Sequence, residues 1–278
     1  ARGEFERTRR GCRATGVAMT GSDRFDLTGK VVLVTGGAGL IGEALCGALA
    51  DHGAQVMIGD VDPEAGRRLA DRLSPDAEFR ELDITSEASV EAVIDGIRAD
   101  HDRLDVLVNS AYPRNENYGQ RYVDVDVADW RENLDLHLTG YFLTSYHASL
   151  AMLKDGVAGS IVNFGSTYGV QAPDFSVYEG TDMTSPVEYA AIKGGIVNFT
   201  RYLASYLGTD GIRANTLSPG GVFDDQDPSF VEAYDRRTML GRMADPEDFA
   251  GPVVFLASDA SRYVTGHDLR VDGGWTNC

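Results

Sequence analysis

Cysteine is scarce: Cys12, Cys46 and Cys278 are the only three in 278 residues. They are too few and too scattered for a disulfide framework or a thiolate zinc site, so no metal is expected and a reducing, cytoplasmic setting is the default. Positive charge is also in short supply. The 25 lysines and arginines face 43 aspartates and glutamates, a formal net charge of −18. So negative a chain repels phosphate backbones and anionic lipid, which sets nucleic acid and membrane surfaces aside as partners. No apolar run approaches the ~18 residues that span a bilayer. Internal repeats, low-complexity tracts and Pro/Gly-rich linkers are missing too, so nothing divides the chain. What remains is an ordinary globular mixture, 43% hydrophobic and 24% charged, long enough to bury a large single core.

Residues 1–26 read differently from the rest. The first 19 carry five arginines and two glutamates, a local +3 in an acidic chain, without the apolar core of a signal peptide. They read as a disordered tail, with Met19 a candidate start. Residues 27–278 read as one domain. Short apolar runs at 31–35, 55–60, 79–83, 105–110, 160–166, 212–218 and 268–271 alternate with amphipathic stretches at 41–52, 86–100, 130–153, 187–207 and 246–258. Several runs are nearly continuous in Val, Ile and Leu, as in strands covered on both faces. The alternation predicts an α/β fold of the Rossmann type, a doubly wound parallel sheet of about seven strands.

The first run leads into Gly36-Gly37-Ala38-Gly39-Leu40-Ile41-Gly42 and then a helix. Glycines at 36, 39 and 42 permit a tight turn, a close backbone approach and close helix-on-strand packing. The open amides at the helix start suit a pyrophosphate. Asp60 closes the second run, 18 residues beyond Gly42. A carboxylate there accepts from the adenosine ribose hydroxyls and repels a 2′-phosphate, which favours NAD(H) over NADP(H). Asp83 closes the third run, where the adenine should lie, and equally suits a helix cap. Asn109-Ser110-Ala111 closes the fourth, at the ligand-binding edge of such a sheet.

Tyr189 and Lys193 stand four apart on one helix face. A tyrosine with pKa near 10 is too weakly acidic to act as a base at neutral pH. A nearby ammonium and the positive oxidised nicotinamide are expected to lower that value, letting Tyr189 move a proton to or from a substrate oxygen. Ser166 ends the fifth run at the same edge, where a hydroxyl can hold a carbonyl oxygen.

With Ser218-Pro219-Gly220 and the closing Val271-Asp272-Gly273-Gly274, these features in this order resemble the short-chain dehydrogenase/reductase family over residues 27–275. The resemblance implies catalytic roles for Ser166, Tyr189 and Lys193. It also implies cofactor contacts through Gly36, Gly39, Leu40, Ile41, Gly42, Asp60, Asp83, Ile84, Asn109, Ser110, Ala111, Tyr189, Lys193 and the loop residues Pro219, Gly220 and Val222. It further implies a homodimer or homotetramer built on the two long helices.

Four departures from the family pattern bear on function. The 36/39/42 glycine spacing looks like the extended branch that works on nucleotide sugars, whereas the C-terminal motif looks like the short branch, which we follow. His137 stands where the family usually carries an asparagine that anchors a proton-relay water, and it is read as catalytic in that relay; Asn133, one turn earlier, is a weaker candidate. Ser166 and Tyr189 are 23 positions apart, farther than usual, and residues 167–188 are expected to wall the substrate pocket with Asp174, Glu179, Asp182 and Glu188. Asp224 replaces a threonine that contacts the cofactor in relatives.

The segment 111–119, with 137–142 and 178–183, looks like the flagellin-modification subgroup associated with bacterial sugar biosynthesis. Arg114 in it suits a phosphate or carboxylate, or a surface salt bridge. The expected activity is NAD(H)-dependent interconversion of a secondary alcohol and a ketone on a polar, sugar-like or cyclitol-like small molecule. The alternatives are a nucleotide-sugar epimerase or dehydratase retaining NAD, and a non-catalytic NAD-sensing protein.

Overall fold

The computed structural model describes residues 22–277. Most of the 1–26 segment therefore lies outside the described residues. Its last part, Ser22–Phe25, makes one 3-10 turn, and Asp26 accepts from the Thr28 amide at 2.9 Å.

The strands are β1 Val31–Thr35, β2 Gln55–Asp60, β3 Glu78–Glu81, β4 Val106–Asn109, β5 Ser160–Phe164, β6 Arg213–Pro219 and β7 Asp268–Val271. They form one sheet in the order β3-β2-β1-β4-β5-β6-β7, every pairing parallel. The helices are α1 Leu40–Asp51, α2 Pro63–Leu73, α3 Glu87–His101, α4 Val127–Leu134, α5 Gly140–Asp155, α6 Val187–Leu207, α7 Pro228–Asp235 and α8 Ala250–Ala257.

Alternation along the strands explains the sandwich. Val31 and Leu33 of β1 face one way, onto α3, α5 and α6, while Val32 and Val34 face the other, onto α1 and α8. A strand buried on both faces has no polar position to spare, which is why its sequence is nearly unbroken Val, Ile and Leu. The chain winds outward from β1 through β2 and β3, then crosses back to β4 and winds the other way. The carboxyl ends of β1 and β4 thus open side by side at the switch point, where a crevice for ligands forms.

Two stretches differ from their periodicity. Residues 130–153, read as one helix, are α4 and α5 joined by a π-helical turn, Asp135–Thr139. Gly140 follows it at a close approach, where an added Cβ would meet Ile84 at 2.8 Å. Residues 246–258 split into a 3-10 turn, Pro246–Phe249, and α8. Helices α2 and α7 each begin with Asp-Pro, in which Asp62 or Asp227 caps the first turn and the proline takes the first helical position.

Asn109 fastens the crevice from below. Its Nδ2 donates to Ser145 Oγ (3.1 Å) and Asn163 Oδ1 (2.9 Å), and its Oδ1 accepts from Thr144 Oγ1 at 2.8 Å. Asn163 continues the chain to Thr200 Oγ1 of α6 at 2.9 Å. All of these side chains are buried. Removing the hub leaves several buried polar groups without partners, each costing about 1–3 kcal/mol. Asn109→Ala is therefore expected to lower unfolding free energy in urea by about 2–4 kcal/mol; a loss under about 0.5 kcal/mol would show that the network relaxes without it.

Candidate active site

The crevice is a groove of about 720 Å³. Its floor begins with the glycine turn. Gly36 has φ +64°, and a Cβ on Gly42 would sit 2.1 Å from the Gly36 carbonyl oxygen, so neither position tolerates a side chain. Gly39 is the N-cap of α1 and supplies no side-chain cap. The first amides of α1, at Leu40, Ile41 and Gly42, thus lie in the groove wall with no side chain bonded across them. This is a cradle shaped for a pyrophosphate.

Asp60 stands at one end of the groove. Its carboxylate accepts from the Ala38 amide (3.0 Å) and the Asp62 amide (3.1 Å), which fixes it against the glycine turn. Asp83 and Ile84 line the same wall. Asp83 is not the cap of α3: it closes an Asx turn on Thr85 at 2.9 Å, and Ser86 is the cap. Ser110 and Ala111 line the groove, but Asn109 does not, since its side chain is spent in the buried network. Pro219, Gly220 and Val222 also do not line it. Gly220 borders a separate pocket of about 100 Å³, and Val222 bridges to Ala244. The wall contributed by that loop is instead Asp224, joined by Tyr112, Pro113 and Arg114 from beyond β4. The signal for these last three was their position directly after the strand-end Ser-Ala.

The presumed chemical groups do converge. Ser166, just past β5, accepts the Tyr168 amide on Oγ at 3.1 Å, and its hydroxyl is near enough to Tyr189 to favour the phenolate. The 22 residues between them fold away as two 3-10 turns, Thr167–Gly169 and Phe175–Tyr178, so the long spacing costs the pair nothing in proximity. Lys193 is buried and donates from Nζ to the Phe164 carbonyl at 2.8 Å. Its ammonium lies 5.4–5.9 Å from the ring centres of Tyr141, Tyr189 and Tyr112. Neither Tyr189 nor Lys193 lines the groove; the ring of Tyr112, which does, packs against both.

Electrostatics here differ from the expectation drawn from the Tyr/Lys spacing. Burial pushes the Tyr189 phenol above its usual 10, partly offset by the Ser166 hydroxyl. Lys193 does not pull it down, because burial pushes the amine itself down to about 7. Desolvation disfavours both charged forms, and in this arrangement it outweighs their mutual attraction.

His137 sits in the π turn between Tyr112 and Tyr141, at ring distances of 5.2 and 5.1 Å. It is buried, and neither ring nitrogen has a hydrogen-bond partner among the described residues. Burial, and then the Lys193 charge, hold its pKa well below 6.5, so the imidazole is neutral. Asn133 exchanges hydrogen bonds with Asn115 and anchors the loop after β4 rather than the reacting groups.

Within the 167–188 segment, Tyr168 packs edge-on to Tyr189 at 6.5 Å and its hydroxyl meets that of Tyr178 at 3.3 Å. Asp174 is taken up by Ser176 and by Arg237 at 2.8 Å, Glu179 and Asp182 are exposed, and Glu188 is buried. The segment thus brings the Tyr168 ring, its hydroxyl bonded to that of Tyr178, beside Tyr189. Among the described residues no helix is long and apolar enough to cross a membrane, and no group of three or more His, Cys, Asp or Glu side chains could hold a metal ion.

The family model described as enoyl-(acyl carrier protein) reductase matches residues 36–276. The chain is 37% identical over 256 residues to the post-translational flagellin modification protein A of Campylobacter coli, covering 90% of this chain and 99% of that one. It is 35% identical over 260 residues to the D-threitol dehydrogenase of Mycolicibacterium smegmatis, covering 91% and 95%. Two solved structures are similar. One is a short-chain dehydrogenase from Leptospira borgpetersenii with bound NAD+, at 34% identity and TM-score 0.80, covering 96% of this chain and 100% of that one. The other is a gluconate 5-dehydrogenase from Burkholderia cenocepacia in complex with NADP and tartrate, at 30% identity and TM-score 0.82, covering 93% and 100%.

The buried amine makes stability depend on pH. With its folded pKa near 7 against an ordinary 10.5, Lys193 is unprotonated in the folded chain and protonated in the unfolded one across that interval. The unfolded state then binds more protons, so stability rises with pH through the window. Urea unfolding at pH 7 and 9.5 should show wild type gaining on Lys193→Met as pH rises; an unchanged difference would contradict the burial.

Proposed function

Because the chain belongs to the short-chain dehydrogenase/reductase family, we propose that it is an NAD(H)-dependent oxidoreductase interconverting a secondary alcohol and a ketone. The substrate is a polar, polyhydroxylated metabolite of the sugar or cyclitol kind. The single observation that carries this is the Lys193 Nζ bond to the Phe164 carbonyl at 2.8 Å, which holds the helix bearing Tyr189 against the strand end that leads to Ser166, beside a groove lined by the glycine turn and Asp60. The hydroxyl-rich wall made by Tyr168 and Tyr178 supports the substrate class, as does the resemblance to a tetritol dehydrogenase and a gluconate dehydrogenase.

The preference for NAD(H) rests on Asp60. Its carboxylate faces the place of the adenosine ribose, and the adjoining wall offers Val61, Leu82 and Asp83 but no cation to a 2′-phosphate. An oxidised nicotinamide held by the glycine turn and Asp60 would supply the hydride acceptor and a positive charge that favours the Tyr189 phenolate. Ser166 then holds the substrate oxygen, since its Oγ is fixed by the Tyr168 amide and its proton is free to turn toward that oxygen. As the carbinol C–H bond breaks, Tyr189 accepts the hydroxyl proton and the C=O bond forms; reduction runs the same transfers backward. His137, neutral and beside Lys193, passes that proton onward, a role for which imidazole has both a donor and an acceptor.

Residues 27–278 act as one catalytic domain in the reducing cytoplasm, with the described cysteine, Cys46, buried and free. Self-association as a dimer or tetramer uses the exposed aromatic faces of α5 and α6, where Phe142 stacks on Tyr146 and Tyr202 on Tyr206.

Incubated with NAD+ and a panel of polyols and cyclitols, the enzyme should raise absorbance in the reduced-nicotinamide band. Tyr189→Phe should lower kcat by about 10²–10⁴-fold, and near-normal turnover would remove Tyr189 from its role. Asp60→Ser should narrow the kcat/KM preference for NAD+ over NADP+; an unaltered ratio would place the discrimination elsewhere.

A further inference from the structure

The loop after β4 sets a cation next to the reacting groups. Arg114 Cζ lies 4.9 Å from the centre of the Tyr112 ring, and that ring packs edge-on against Tyr189 at 5.8 Å. One tyrosine thus separates the guanidinium from the phenol that moves the proton. The loop is pinned. The Asn115 amide donates to Asn133 Oδ1 at 2.9 Å, Asn133 Nδ2 returns a bond at 3.1 Å, and Asn115 Nδ2 reaches Asp129 at 2.8 Å. The Tyr112 hydroxyl is tied to that of Tyr118 at 2.8 Å.

The charge on Arg114 is not spent on a carboxylate. Among the described residues it forms no ion pair, although Asp224 lines the same groove and the chain carries −18. Arg98, Arg237 and Arg242, by contrast, are engaged by Asp155, Asp174 and Asp248. Arg114 is also the one cationic side chain lining the groove among the described residues. Its contact with the Tyr112 ring face leaves the edge donors of its five-donor fork available. A guanidinium laid over an aromatic ring keeps its remaining edge donors in one plane, the geometry that grips an oxyanion through two parallel bonds.

We propose that Arg114 is the anion seat of the substrate site, binding the carboxylate or phosphate of a polyhydroxylated substrate whose carbinol lies at Ser166 and Tyr189. This rests on the oxidoreductase assignment and narrows it, from neutral polyols to sugar acids or sugar phosphates. Of the acids nearby, Asp174 is engaged by Arg237, whereas Asp224 lines the groove with Arg114 and would have to lie clear of the bound anion.

Calorimetric titration of the NAD+-loaded enzyme with D-gluconate, glycerol 3-phosphate and threitol tests the seat and separates its two anion types. Wild type should bind gluconate or the phosphate more tightly than threitol. Arg114→Gln should weaken that anion about tenfold or more, leave threitol and NAD+ within about twofold, and be partly rescued by Arg114→Lys. Undiminished anion binding in Arg114→Gln overturns the proposal, as does a wild type that binds neither anion. So does equal loss of NAD+ affinity in Arg114→Gln and Asp224→Asn, which would make the two side chains a clamp on the coenzyme. Arg114-dependent anion binding without NAD+ reduction by any alcohol would keep the seat and remove the oxidoreductase assignment instead.

Discussion

A single hydrogen bond, from Lys193 Nζ to the Phe164 carbonyl, aligns the two halves of the site. Phe164 is the last residue of β5, and Ser166 follows it two positions on. Lys193 lies one helical turn beyond Tyr189 on α6. The bond therefore fixes α6 against the end of β5, and with it the phenol against the strand-end hydroxyl. The carbonyl and three tyrosine faces are the surroundings of a buried amine, an expensive arrangement that pushes its pKa down to about 7. A methylene chain alone could have packed there. The amine can change charge near neutral pH, beside the phenol proposed to move the proton.

The frame was legible because burial dictates it. A parallel strand covered on both faces must be apolar throughout, so Val31–Thr35 and its partners announce themselves, and the amphipathic 187–207 stretch is α6 to the residue. Glycine 42 could be assigned a role because no side chain fits between the turn and the helix. What stayed hidden were choices made by tertiary contact. Asn109 sits at a ligand-binding edge, yet its side chain turns inward, because Thr144, Ser145 and Asn163 offer it a full set of partners. Of the loop after β6, Asp224 lines the groove while Val222 bridges to Ala244, and strand-end sequence alone does not distinguish the two. The π turn around His137 has no periodic signature, since one added residue is lost in a long amphipathic pattern.

The Tyr/Lys spacing illustrates a different limit. Four residues on a helix place two side chains on one face, but the sign of a pKa shift depends on how much water remains. Spacing suggested an ammonium drawing the phenol down. With both groups buried, desolvation dominates and the two values move toward neutrality of each group. A positive charge arriving in the groove then has more leverage than it would in water, because the low local dielectric that penalises the phenolate also magnifies attraction to it. Burial in this way makes the acidity of Tyr189 conditional on what lies beside it.

Tyr112 sets how dry that environment is. Where the strand-end motif leads into the groove, its ring covers Lys193, touches His137 and Tyr189, and carries Arg114 on its outer side. A small residue there would open the amine and the imidazole to groove water, returning both toward ordinary pKa values. A second cluster closes the opposite side: Val177 from the 167–188 segment packs with Phe230 and Tyr234 of α7, Met243 and the buried Trp275. The segment that lengthens the Ser166–Tyr189 interval is thus held by apolar packing against α7 and the C-terminal turn. Among its polar groups, the Tyr168 hydroxyl, bonded to that of Tyr178, lies on the ring that packs against Tyr189. Tyr189 stands between two aromatic walls, one bearing a cation and the other bearing hydroxyls, and the proposed alignment of a polyhydroxylated chain rests on that asymmetry.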